Sequence, residues 1–409
     1  MKNGWETKPL GQVAELRGRI GWRGLTAKEY QKSGPLFLSV HSLNHGDYVD
    51  FCQAFHITEE RYLESPEIIL QKDDVLICKD GAGIGKVGIV GELPDKATIN
   101  SSLLLIRSGS SIFPKYLLRC LMSPYFQSIV NSRLEGATTP HLYQRDITTF
   151  PVVVPPIEEQ RRIVAILDEA FASIDKAKAN TEKNIQNARE LFDSYLSNIF
   201  ANPGPDWKRR SLKELTSKIG SGATPRGGKN AYKTRGISLI RSMNVHDRRF
   251  KPDNLAFIDS KQANELSNVT LQPNDVLINI TGASIARSCL CPDECIPGRV
   301  NQHVSIIRAN TDEIDPTFLN FTLTSNATKE RLLNVGVAGG STRQALTKTD
   351  LESFEIYLPT SIIEQHALSS KMSLCETETK EIGVTSQRKL RELDELKKSI
   401  LQKAFSGEL

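Results

Sequence analysis

Gly83-Ile-Gly85-Lys-Val-Gly88 matches, letter for letter, the glycine pattern that cradles a dinucleotide pyrophosphate. That chemistry needs a helix N-terminus directly behind the turn, so that backbone N–H groups and the helix dipole face the anion. The next residues are Ile89-Val-Gly-Glu-Leu-Pro94, which do not start a helix. A phosphate-binding loop of the nucleotide-hydrolase kind fails too, because Asp80 stands where its first glycine belongs and Val87 where its Ser/Thr belongs. A hairpin whose backbone approaches another part of the chain closely is the better reading. Cys289, Cys291 and Cys295 are close enough to suggest zinc, but they form no CxxC pair and read as small buried residues.

Group-transfer chemistry is no better supported. An amino-methyltransferase grips its target amine with an Asn/Asp-Pro-Pro-aromatic tetrad, and Val-Pro155-Pro156-Ile and Asn202-Pro203-Gly204 both fail that pattern. Pro94-Asp95-Lys96 and Pro205-Asp206-Trp207 lack the acidic strand motif with which nucleases hold magnesium. His41, His45, His56, His141, His246, His303 and His366 are scattered, with no recurring nucleophile and base. The chain reads as catalytically silent, and no metal site is expected in it.

Basic and aromatic loops remain. Arg17, Arg19, Trp22, Arg23, Lys28 and Tyr30 crowd into one short stretch, and Arg226, Lys229, Tyr232 and Arg235 into another. Further candidates are Lys79 and Lys86 around the glycine hairpin, His141, Tyr143 and Arg145, then Arg241, and finally Arg343 with Gln344. Cations with amides and aromatics are what phosphate positioning and base-edge readout require. DNA is the ligand this set predicts, with a solvated protein-binding scaffold as the rival.

These loops sit in a duplicated framework. Trp5–Gly18 returns as Trp207–Gly220, Asp74-Val-Leu-Ile77 as Asp275-Val-Leu-Ile278, and Leu103–Arg107 as Val304–Arg308. Short β-rich runs interrupted by helices predict an α+β head with a mixed, mainly antiparallel sheet. Each head then leads into a long stretch free of internal proline. Glu158–Phe200 follows Pro155-Pro156 and ends at Asn202-Pro203-Gly204; Ser361–Phe405 repeats it 205 residues later. A heptad register places Ile163, Leu167, Ile174 and Leu191 on one seam, and Leu368, Met372, Ile382, Leu393, Leu396 and Ile400 on the other. The fold predicted is two tandem heads separated by two long antiparallel helices forming a coiled-coil rod of about 65 Å, with an internal pseudo-two-fold duplication. Domain bounds are 1–157, 158–202, 203–360 and 361–409. Gly383 interrupts the second helix at a cost of about 1 kcal/mol.

Composition is compatible with this and decides little. Hydrophobic residues make up 39% and charged residues 24%, and the net charge of +4 leaves room for one basic face. No apolar run suits a membrane, and seven cysteines without framework spacing point to a reducing cytoplasm.

The pieces together resemble the specificity (S) subunit of a type I restriction–modification system. The resemblance rests on the openings at Trp5 and Trp207, the Gly222-Ala-Thr-Pro-Arg226 turn and the Asp-Val-Leu-Ile strands. It rests as well on Pro-Pro-Ile-Glu-Glu-Gln160-Arg-Arg-Ile-Val and the terminal Ser399-Ile-Leu-Gln-Lys-Ala-Phe-Ser-Gly-Glu-Leu409, and it spans essentially the whole chain. The second helix start, Ser361-Ile-Ile-Glu-Gln365, departs from the pattern by lacking the double proline. The resemblance implies double-stranded DNA as ligand, read as a bipartite asymmetric site with one domain per half-site. It implies two modification subunits that carry S-adenosylmethionine and transfer methyl to adenine N6. It also implies restriction subunits that use ATP and Mg.

Overall fold

The computed structural model describes residues 4–19, 25–44, 46–134, 141–338 and 345–409. The chain forms two compact units, Met1–Thr181 with Gln387–Leu409, and Glu182–Ser386. Each contains a head and portions of both long helices. Those helices run Ile157–Ala201 and Ile362–Ser406, 45 residues each, displaced by the same 205 residues at both ends.

Within the first unit Glu6–Pro9 pairs antiparallel with Pro151–Val154, the strand that leads into the first long helix. A four-stranded antiparallel sheet has the order Ala14–Arg17, Leu103–Ser108, Val75–Cys78, Val87–Ile89. A third sheet sets Gln31–Leu38 between Phe55–His56, antiparallel, and Ala97–Ile99, parallel. The second unit repeats all three sheets in the same order, around Trp207–Ser211, Val304–Ala309 and Ile237–Ile240, and adds the hairpin Val245–His246 with Arg249–Phe250. The predicted mixed, mainly antiparallel sheet and the duplication are both present.

Two polar devices, each used twice, tie these sheets to their surroundings. Asp74 precedes a fully buried Val-Leu-Ile-Cys strand; its carboxylate accepts Gln71 N–H (2.7 Å) and two hydrogen bonds from Arg107 (2.7 and 2.7 Å). Asp275 does the same with Gln272 N–H (2.8 Å) and Arg308 (2.7 and 2.8 Å). The second device is the glutamine of the helix-opening motif. Gln160 accepts Phe113 N–H (2.8 Å) and donates to Ser111 O (2.9 Å) and Pro155 O (2.8 Å). Gln365 accepts Asp315 N–H (2.9 Å) and donates to Glu313 O (3.2 Å) and Pro359 O (2.9 Å).

The long helices pair antiparallel. In the first unit Asp175 meets Lys397 (3.2 Å) and Lys178 meets Asp394 (2.8 Å), so later residues of one helix face earlier residues of the other. Ile163, Leu167, Ile174 and Met372 are buried as the register requires, and Leu368, Leu393 and Ile400 pack against the cores. Three seam assignments need correction. Leu191 is 73% exposed, Leu396 46% and Ile382 45%. Phe192 is buried in place of Leu191, and Lys397 lies over the Phe171 ring (4.6 Å) beside the misplaced Leu396. For Leu191 and Leu396, each four repeats along its helix, the cause is helical pitch. A strict heptad falls behind a straight α-helix by about 20° per repeat, so about four repeats past Ile163 the inward residue is the next one along.

Gly383 does not break the second helix, and a Cβ built on it would meet nothing within 4 Å. Gly383→Ala is therefore expected to stabilise the protein by about 1 kcal/mol, read as a higher denaturation midpoint. A lower midpoint would mean that the glycine serves a close approach. No helix among the described residues is long and apolar enough to cross a membrane.

Candidate nucleic-acid interface

In the first unit three sequence-distant stretches meet on one surface. Leu142 N–H donates to Lys79 O (2.9 Å), and Gln144 Nε2 donates to Leu16 O (3.0 Å). These bonds set the strand end at Arg17, the turn from Lys79 to Lys86, and the segment His141–Arg145 side by side. Lys86 and Arg145 are exposed, and Arg17 and Lys79 half-buried. Lys86 Nζ donates to Asn44 Oδ1 (2.6 Å). The Arg145 guanidinium lies over the exposed Tyr143 ring (4.7 Å), which meets His141 edge-on (4.5 Å). His141 bonds to Asp80 through Nδ1. A cation stacked on an exposed ring is presented to solvent in a fixed direction, which suits contact with phosphate or a base face.

The glycines that mimic a dinucleotide fingerprint serve packing within the unit. A Cβ on Gly83 would come within 2.3 Å of Val40 Cγ2, on Gly85 within 2.9 Å of Gln127 Oε1, and on Gly88 within 2.9 Å of Leu43 Cδ2. Gly85 also has φ +82°. The expected close approach is to the chain's own loop and helix.

In the second unit Gly222 N–H donates to Asn301 O (3.2 Å), and a Cβ there would lie 1.8 Å from Val300 O. Thr224 donates to Gln302, and Thr281 Oγ1 lies 2.6 Å from His303 Nδ1. Arg226 and Arg235 are exposed. A cavity of about 460 Å³ opens between Ser242, His246, Thr281, Ser284, Arg287 and His303, with Met243 and Ala283 also on its wall. Burial pushes the His246 pKa down, and Lys251, Arg287 and Arg249 add to this, so the ring favours its neutral form.

Three assigned residues are committed elsewhere. The Arg19 side chain is 4% exposed and turned to Glu64 (3.3 Å). Tyr30 stacks on Phe55 with ring centroids 4.3 Å apart. Arg241 lies over Tyr232 (5.4 Å), donates to Asn254 O, and ties the half-buried Tyr232 into the fold. A basic or aromatic residue satisfied by its own unit has less left for a ligand. Trp22, Arg23, Arg343 and Gln344 lie outside the described residues, as does the side chain of Lys229. The structure also brings Asp80, Thr281, Arg287 and Gln302 to these surfaces, none of them assigned from sequence; Asp80 and Thr281 stand at equal distance behind the duplicated strand.

Cys289, Cys291 and Cys295 are buried, as expected of small core residues, in a cluster with Leu239, Val269 and Val300. Burial raises all three thiols, Cys289 to about 12, which makes them poor nucleophiles and reluctant ligands.

Residues 2–187 and 205–387 each match the type I restriction modification DNA specificity domain. The chain belongs to that family. Among curated relatives, the specificity subunit of the type I restriction enzyme EcoKI from Escherichia coli K12 is 20% identical, covering 100% of this chain and 90% of the relative. The MjaVIII specificity subunit of Methanocaldococcus jannaschii is 22% identical, covering 85% and 81%. Solved structures share the fold. A chain from a study of complex assembly and conformational transition in a type I R-M system superposes with a TM-score of 0.78 at 19% identity, covering 100% of this chain and 99% of that one. The HsdS subunit from Thermoanaerobacter tengcongensis gives 0.63 at 19% identity, covering 100% and 98%. Family membership agrees with the expected S subunit.

Proposed function

We propose that this chain is the sequence-specific DNA-recognition subunit of a type I restriction–modification complex. Each head reads one half of a split double-stranded site, and the long helices dock the modification subunits. The observation that carries this is one fold present twice with different chemistry on the same loops. Such an object reads two half-sites that differ, so the target is asymmetric. Methyl transfer from S-adenosylmethionine to adenine N6 belongs to the modification subunits, and ATP- and Mg-dependent cleavage to restriction subunits. In the second unit Leu191, Ile363, Leu374 and Val384 leave large apolar side chains exposed on the long helices, which supports a partner-binding surface there.

The test is a map of N6-methyladenine in cells making this chain, with and without its methyltransferase partner. A split, asymmetric motif that requires both proteins is expected. A stable complex that leaves no motif would refute the reading and favour a protein-binding scaffold. Binding of the complex to duplex DNA should also weaken linearly in log affinity against log salt, with a slope of about −0.9 per phosphate neutralised. Indifference to DNA at every salt concentration would again favour the scaffold.

A further inference from the structure

One place in the fold is built alike in both units and carries different chemistry. It is the turn after the strand Val75–Cys78 in the first unit and after Val276–Asn279 in the second. Asp80 bridges backbone-to-backbone with His141, and Thr281 with Ala345. The flanking bonds repeat as well, Leu142 N–H to Lys79 O (2.9 Å) and Leu346 N–H to Ile280 O (2.8 Å). Asp80 and Thr281 therefore occupy one structural position. Each engages an imidazole through Nδ1, Asp80 that of His141 and Thr281 that of His303 (2.6 Å).

The two imidazoles are not copies of each other. His141 corresponds to Ala345 through the bridge. His303 corresponds to Ser102, because Lys79 N–H donates to Ser102 O (2.8 Å) where Ile280 N–H donates to His303 O (3.0 Å). Duplication alone would have placed the histidine on the same segment twice. The same spot has thus acquired a histidine couple by two routes, once with a carboxylate and once with a hydroxyl.

We propose that the first couple, and the second together with the Arg287 beside it, are specificity-determining groups, each discriminating one base position of its own half-site; this rests on the DNA-recognition reading above. In the first unit the half-exposed Asp80 carboxylate, bonded to His141 through Oδ1 and 3.9 Å from Lys79 Nζ at Oδ2, keeps lone pairs on its exposed edge and offers only acceptors, which match an exocyclic amine, cytosine N4 or adenine N6, in the major groove. In the second unit the hydroxyl couple shares its cavity with Arg287, Ser242 and Ser284, and none of the described residues lining it is a carboxylate. A guanidinium there matches the O6 and N7 acceptors of guanine. Bonding through Nδ1 fixes each ring's orientation.

The experiment uses the complex with its methyltransferase partner and duplexes carrying the methylated motif, each base substituted in turn. Asp80→Asn, which turns one acceptor into a donor, is expected to lower discrimination at one amine-bearing position by about ten- to a hundredfold. The other half-site should be unaffected, and Asp80→Glu, which keeps the acceptors, should retain the preference. Arg287→Ala should relax a guanine position in the opposite half-site by a similar factor. If Asp80→Asn does not assemble, His141→Gln tests the same couple from its other side. An unchanged base preference would overturn the proposal. So would a uniform loss on all sequences with a shallower salt slope, which marks a phosphate contact. A wild-type complex that methylates no motif would instead sink the DNA-recognition reading, and this inference with it.

Discussion

Gln160→Leu is expected to destabilise the first unit by about 3 kcal/mol, read as a lower denaturation midpoint of the purified chain. Gln160 is fully buried at the opening of the long helix, and its amide satisfies Phe113 N–H, Ser111 O and Pro155 O together. Leucine has nearly the same volume and removes all three partners, leaving the buried Pro155 O and the part-buried Phe113 N–H and Ser111 O without the amide. Each stranded group costs about 1–3 kcal/mol, partly offset by the apolar gain of leucine. Gln160→Glu separates the contributions. It keeps the acceptor for Phe113 N–H but faces the two carbonyls with an oxygen, so it should be no better than leucine. A loss below about 1 kcal/mol in both variants would mean that water replaces the amide. Gln365→Leu should cost a similar amount in the second unit, where the same three bonds recur.

This pin shows which parts of the fold a single sequence discloses. The long helices were legible because their limits are written locally, in Pro155-Pro156 ahead of the first and Asn202-Pro203-Gly204 behind it. The duplication was legible because it repeats whole strings. The seam was legible only to within one residue, since the choice between Leu191 and Phe192 depends on helical twist accumulated over many turns, which residue types do not record.

The candidate interface was legible as composition and illegible as geometry. Arg145 and Lys86 were found as exposed cations in loops, and they are exposed. Arg19 has the same type and the same kind of neighbours, yet Glu64, 45 residues away, takes its guanidinium. No local pattern announces a partner at that distance. The histidine couples failed for the same reason. Asp80 and His141 are 61 residues apart, Thr281 and His303 are 22 apart, and neither spacing follows a helix or strand period. The bridge between Asp80 and His141 joins the first pair, and the pairing of Val276–Asn279 with Val304–Ala309 joins the second.

Arg308→Met carries the largest expected cost, about 3–5 kcal/mol, because it strands a buried charge. The Asp275 side chain is 0% exposed; Arg308 gives it two bonds and sends a third to Thr270 O (2.9 Å). Methionine fills much of the volume but leaves the carboxylate with the Gln272 N–H (2.8 Å). Adding Asp275→Asn removes the stranded charge while keeping an oxygen for that N–H, so the double variant should be more stable than Arg308→Met alone. That non-additivity is the sign of a coupled pair; additive losses would mean that each side chain acts through its own packing. The first unit supplies an internal control. Arg107 binds Asp74 with the same two bonds and Ile69 O with the third (3.0 Å), and Asp74 is 2% exposed. Arg107→Met should therefore cost about as much as Arg308→Met. If the two costs match while the loops above them read different bases, the duplication has kept its scaffold energetics and let only its recognition chemistry diverge.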